Sequence, residues 1–224
     1  MICKNIQPCE VLTDNGTSAK EIFMSNTNNT LASTKNKTMM LTTMGLLTAI
    51  VVVLQAMAIA IRFGIFNITL VLVPIVVGAA LYGWKAGAWL GFVFGVVVLF
   101  TDAGAFLAIN VPGTIITVLL KGTLAGAAAG LIYSLLSRKN DILGVIGAGI
   151  VSPIVNTGIF LLGCLVFFYD TIAQWAAGAG FENVGVYMVT AFVGLNFVVE
   201  LAINLVLSSA IVLILKVAKK HIKK

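Results

Sequence analysis

Long apolar runs separated by short polar breaks occupy the chain from Met39 onward. A helix crossing the hydrocarbon core needs about 20 residues, and six runs approach or exceed that length. They predict helices over about 39–61, 67–82, 85–101, 112–136, 143–168 and 187–217. The fold class expected is therefore an all-α integral membrane protein, a bundle of six transmembrane helices. The second and third runs are short, so one of them is expected to be tilted, broken or partly re-entrant. Pro74 inside the second predicts a kink there, because proline removes a helical hydrogen bond. From Tyr169 to Val186 the run is broken by Asp170, Trp175, Gly178, Gly180 and Glu182, which reads as an interfacial loop.

Residues 1–38 follow a different pattern, rich in Asn, Thr, Ser and Lys. Such a segment buries too little apolar surface to offset its ordering entropy, so a disordered tail is expected. It lacks the apolar stretch of a signal peptide, and Met24 and Met39 leave a downstream start open. Residues 39–217 form the expected membrane domain and 218–224 a basic cytoplasmic tail.

Composition agrees with the pattern: 60% hydrophobic and 10% charged residues, with mean hydropathy +1.08. Soluble domains carry roughly 25% charged residues, so this chain cannot clothe itself for water. The net charge of +6 does not point to nucleic acid, because Lys216, Lys219, Lys220, Lys223 and Lys224 cluster against the end of the last apolar run. That is a juxtamembrane basic patch attracted by anionic lipid. Basic residues also set the orientation. Lys35, Lys37, Lys85, Arg138, Lys139 and the terminal lysines fall on one side of the predicted topology. Arg62 falls on the other, with Asp102, Asp170 and Glu182. Both termini are thus expected to be cytoplasmic in a multi-pass protein of the cell membrane.

Several chemistries are excluded. His221 is the only histidine and lies in the basic tail, which removes Ser-His triads and His-rich metal sites. Three cysteines, Cys3, Cys9 and Cys164, lack the spacing of a zinc site or a disulfide framework. No GxxxxGK[ST] phosphate loop occurs, so this chain is not expected to hydrolyse ATP, bind a cofactor or act as an enzyme.

Ionisable groups inside a membrane cost at least about 2.5–3.5 kcal/mol each, so they are functional candidates. Lys121 and Glu200 stand out. At 1.5 Å per residue, Lys121 lies about 14 Å below the outer end of its run, Asn156 about 18 Å and Glu200 about 20 Å. Helical spacing aligns them into stripes: Thr114, Thr117 and Lys121; Ser152 and Asn156; Asn196, Glu200 and Asn204. Three polar stripes predict a polar cavity beneath the outer rim. The alternative is that Lys121 and Glu200 pair only to hold helices together, while the amides bond between helices. The segment TDAGAFLAINVPG, from Thr101 to Gly113, brings an acid, an aromatic and Asn110 to the outer mouth as a candidate lid. Trp175 is a second candidate lid or a simple interface anchor. The substrate-binding set expected is Lys121, Thr117, Asn110, Asn156, Asn196 and Glu200.

Small residues suggest close helix approach. Gly45 and Ala49 are spaced by four in the first run, and Gly122, Gly126 and Gly130 repeat that spacing in the fourth. Contact within the bundle and contact with another membrane subunit both fit.

The segments MGLLTAIVVVLQ from Met44, LYGWKAGAWLGFVFG from Leu81 and LLKGTLAGAAAGLIYSLL from Leu119 resemble the S components of energy-coupling factor transporters. The resemblance covers about 39–217. It implies a six-helix subunit that binds a micronutrient from outside. It also implies docking on a scaffold membrane protein coupled to two cytoplasmic ATPases, which use the ATP. The small-residue pair of the first helix, implied to touch that scaffold, falls on Gly45 and Ala49, with glycine in place of the usual first alanine. The leading expectation is the binding subunit of a vitamin importer. Lys121 favours an anionic vitamin such as pantothenate, with riboflavin next should Glu200 neutralise it. The alternative is an autonomous ion-coupled transporter in which Lys121 and Glu200 titrate or bind an ion. An intramembrane enzyme using Glu200 or Asp102 ranks last.

Overall fold

The computed structural model describes the backbone of residues 19–60, 62–63, 66–67 and 70–222. Side chains of residues 1–36, 59–69, 192–193, 195–196, 208–209, 215–216 and 218–224 lie outside the described set. Two units are distinguishable, Met1–Thr43 and Met44–Lys224.

In the first unit the chain is helical from Ala19, where α1 (Ala19–Ala60) begins. The expectation of a disordered tail concerns residues 1–18, which are outside the described residues, and 19–38, which are helical. Thr42 and Thr43 donate their hydroxyls to the carbonyls of Thr38 and Met39, at 3.0 and 2.9 Å, so their polar atoms are met within the helix. Lys37–Ala58 is the part of α1 apolar enough to cross a membrane.

The second unit contains the rest. A two-residue antiparallel pair, β1 (Arg62–Phe63) with β2 (Phe66–Asn67), follows α1. Then come α2 (Leu72–Tyr82), α3 (Trp84–Thr101), α4 (Gly104–Leu107), α5 (Val111–Leu136) and α6 (Asp141–Phe167). Next are α7 (Tyr169–Gly178), α8 (Val184–Met188), a π-helical turn over Val189–Val193 and α9 (Gly194–Ile222). Among the described residues five helices are long and apolar enough to span a membrane. At 11 residues α2 is about 16 Å long, half the hydrocarbon thickness.

That short helix is nevertheless the centre of the fold. Leu72, Ile75, Val76 and Ala79 are at most 1% exposed, and α2 packs against α3, α5, α6 and α9. Pro74 does not kink it: α2 starts at Leu72, so the proline sits in the first turn, where the missing N–H has no helical acceptor anyway. Gly83, at φ 86°, turns the chain from α2 into α3, a conformation open mainly to glycine.

The α3–α5 seam is built from glycine on both sides. A Cβ on Gly87 would run into the backbone oxygen of Gly126, and one on Gly91 into that of Gly122; the reverse substitutions meet the reverse carbonyls. Gly130 faces the backbone of Trp84. Two helices approach this closely only where side chains are absent, so the Gly122, Gly126 and Gly130 stripe is spent inside the bundle. Gly45 and Ala49 differ: a Cβ at Gly45 meets nothing within 4 Å, and both residues are exposed.

At its other end α5 turns into α6, where Tyr133 donates its hydroxyl to Asp141 at 3.0 Å and Asn140 caps the N-terminus. The expected loop over 169–186 is largely helical. In α7, Ile172 and Ala176 are buried one turn apart, the face of a short amphipathic helix. The last predicted helix is interrupted by the π turn and by Gly194 at φ 25°.

Candidate functional site

A cavity of about 320 Å³ opens between α3, α5, α6 and α9, the size of the smaller ligand sites of proteins. Each wall comes from a different element. Val98, Asp102 and Ala103 close α3; Phe106 comes from α4; Thr114, Thr117, Val118 and Lys121 line the α5 side. From α6 come Asn156, Thr157 and Phe160, with Phe168 just beyond it, and α9 gives Phe197 and Glu200.

The α5 stripe is oriented as the helical spacing predicts. Thr114 is 1% exposed and donates its hydroxyl to the carbonyl of Asn110 at 2.7 Å. Thr117 is 4% exposed, and among the described residues its Oγ1 has no hydrogen-bond partner. The same holds for Asn156 Oδ1 across the cavity. Buried polar atoms are nearly always paired, so these two stand out as oxygens that no described residue meets. Gly163 of α6 makes room for Thr117: any side chain there would overlap the threonine.

Lys121 sets the electrostatics. Its Nζ lies 4.9 Å from the centre of the Phe160 ring, a cation–π distance. Asp102 and Glu200 are both near enough to attract the ammonium. The site therefore offers one amine beside two carboxyl groups, in a wall otherwise hydroxyl, amide, aliphatic and aromatic.

An aromatic cluster roofs it. The Phe106 ring stands edge-on to Phe160 at 5.6 Å, to Phe168 at 5.1 Å and to Trp175 of α7 at 6.0 Å. Such T-shaped pairs contribute about 0.5–1.5 kcal/mol each beyond their area. The segment expected to be a lid contributes Asp102, Ala103 and Phe106 to the cavity lining, and Trp175 packs on Phe106 without lining the cavity.

Of the six residues expected to bind substrate, Lys121, Thr117, Asn156 and Glu200 are brought together. Asn110 is not among the lining residues: its Oδ1 accepts the Gly113 N–H at 3.0 Å and caps α5, as asparagine before a proline-containing first turn commonly does. Asn196 has its side chain outside the described residues. The aromatic wall of Phe160, Phe168 and Phe197 was not anticipated, because phenylalanine in an apolar run carries no signal distinguishing cavity from lipid.

The profile described as "ECF transporter, substrate-specific component" matches residues 39–215. The pantothenic acid transporter PanT of Lactococcus lactis subsp. cremoris (strain MG1363) is 26% identical over 171 residues, spanning 68% of this chain and 80% of that protein. No solved structure matches. With apolar membrane-length helices around a cavity lined by polar and aromatic residues and a family match across nearly all of them, the chain belongs to the substrate-specific components of ECF transporters, multi-pass cell-membrane proteins that serve transport and not catalysis.

Proposed function

We propose that this protein captures pantothenate on the extracellular side and presents it to an ATP-driven importer. The observation that carries the reading is Lys121 inside a small cavity beside two unpartnered buried oxygens, Thr117 Oγ1 and Asn156 Oδ1. Pantothenate has a carboxylate for the ammonium, hydroxyl and amide protons for those oxygens, and a dimethyl group for the Val98, Val118 and phenylalanine wall. Riboflavin, a fused three-ring molecule, asks for a wider slot. The relative's printed substrate supports the same choice.

In this reading the topology is six membrane passages, with α2 as the short second one and both termini cytoplasmic; residues 218–224 are a basic tail and the segment before 39 a polar extension. A scaffold membrane subunit and two cytoplasmic ATPases are the partners, and ATP is consumed there. The exposed Gly45 and Ala49 face is the docking surface for the scaffold.

Titration of the purified chain with pantothenate and with its neutral alcohol analogue, pantothenol, tests this. Lys121→Met should weaken pantothenate by roughly tenfold to a hundredfold, the worth of a charged hydrogen bond of about 1.5–3 kcal/mol. Pantothenol affinity should stay unchanged. Equal loss for both ligands, or none for either, refutes the assignment of the carboxylate to Lys121.

A further inference from the structure

Along the cavity, α5 and α6 run antiparallel and meet in three successive rungs. A Cβ on Gly113 would lie 2.9 Å from Phe167 Cβ. One turn along α5, Thr117 faces Gly163, and one turn further Lys121 Nζ stands 4.9 Å from the centre of the Phe160 ring. The middle rung is the tightest. A Cβ on Gly163 would strike all three heavy atoms of the Thr117 side chain, Cγ2 and Oγ1 most closely and Cβ at 2.9 Å.

Neither helix yields cheaply there. Threonine is branched at Cβ and stiff about χ1, so it cannot swing a far end aside as a longer side chain would. A neighbouring face of α5 is also clamped, where Gly91 and Gly95 of α3 lie against the carbonyls of Gly122 and Val118. A methyl group at position 163 is therefore accommodated by moving α6. The same rung accounts for the Thr117 hydroxyl. Thr114 and Thr123 of α5 each donate to the carbonyl four residues back at 2.7 Å, an ordinary outlet for a helical threonine. Thr117 Oγ1 makes no such bond and lies against Gly163 instead.

What moves with α6 is a wall of the cavity. Asn156, Phe160 and Gly163 share one face of that helix. The first two line the cavity together with Thr117 and Lys121, whereas Gly163 is buried and does not. We propose that Gly163 is a positioning residue of the binding site. Bare of a side chain, it seats Thr117 on α6 and so fixes how far Lys121 stands from Asn156 and Phe160. The proposal rests on the reading of this cavity as the pantothenate site.

The test moves one methyl group across the seam. Pantothenate titration and thermal melting are compared for the full-length purified chain, Gly163→Ala, Thr117→Ser and the double variant. Gly163→Ala should bind pantothenate at least about tenfold more weakly, a coupling usual between touching residues. Thr117→Ser keeps the hydroxyl, removes the Cγ2 methyl and should bind within about threefold of the parent. The double variant should bind like Thr117→Ser, because the methyl lost from α5 leaves room for the one gained on α6. Lowered melting with unchanged affinity in Gly163→Ala would mean packing alone and overturns the proposal. A double variant that binds as weakly as Gly163→Ala overturns it too. Should Gly163→Ala not fold, the double variant decides: affinity equal to that of Thr117→Ser upholds the pairing, and affinity still lost overturns it. Should the parent bind riboflavin and not pantothenate, the pantothenate reading falls, and the same comparison with riboflavin decides Gly163. A parent that binds neither overturns both.

Discussion

The α3–α5 and α6–α9 seams solve opposite problems within one bundle. Along α3–α5, Gly87 and Gly91 meet Gly126 and Gly122 backbone against backbone. Along α6–α9, Asn156, Ser152, Glu200 and Asn204 keep the helices apart with side chains, three of which carry unpartnered buried oxygens. The first seam is closed by backbone contact; the second keeps buried oxygens that no described residue meets. A membrane offers no water to satisfy stray polar atoms, so polar groups left over mark where something else is to be bound.

The largest expected effect comes from forcing a side chain into the dry seam. Gly91→Leu should abolish the folded, monodisperse protein, because even a Cβ there strikes the Gly122 carbonyl and a packed interface resists overfilling. Gly158→Ala, on α6 with nothing within 4 Å of the added atom, should melt within a degree or two of the parent. Size-exclusion profiles and melting curves of the pair decide this; comparable loss in both would erase the distinction between the seams.

A smaller and more telling change is Thr117→Val. It removes a buried oxygen without changing shape, so the unliganded protein should be as stable as before or more so. Pantothenate should weaken by about tenfold, the net worth of a hydrogen bond of about 1–1.5 kcal/mol. Loss of stability together with affinity would assign Thr117 to packing instead.

The smallest effect falls on the roof. Phe106→Ala deletes three edge-on ring contacts and leaves Lys121 itself in place. Release of bound pantothenate in stopped-flow dilution should quicken about fivefold, the equivalent of roughly 1 kcal/mol, with the selectivity over pantothenol kept. An unchanged rate would remove the α4 segment as a lid.

Much of the site was legible beforehand because helical spacing is a strong signal. Thr114, Thr117 and Lys121 were aligned by periodicity, and burial places all three on the cavity. Asn110 was misleading for a local reason: before Val111-Pro112-Gly113 an asparagine side chain meets an unpaired backbone N–H nearer than any ligand. The WKAGAWLGFVFG segment already spaced Gly87, Gly91 and Gly95 by four, a pattern that answers Gly122 and Gly126 on α5. Spacing within each helix could not reveal that the two stripes meet.

The apolar runs and the few charges inside them determined by themselves that the chain lives in a membrane and which residues are costly there, since burial of charge in lipid is a property of composition and length. Which stripes face one another was decided only by tertiary structure. Helix pairing depends on small differences in shape that no single run contains: glycine answering glycine at α3–α5, and leftover acceptors answering one another at α6–α9.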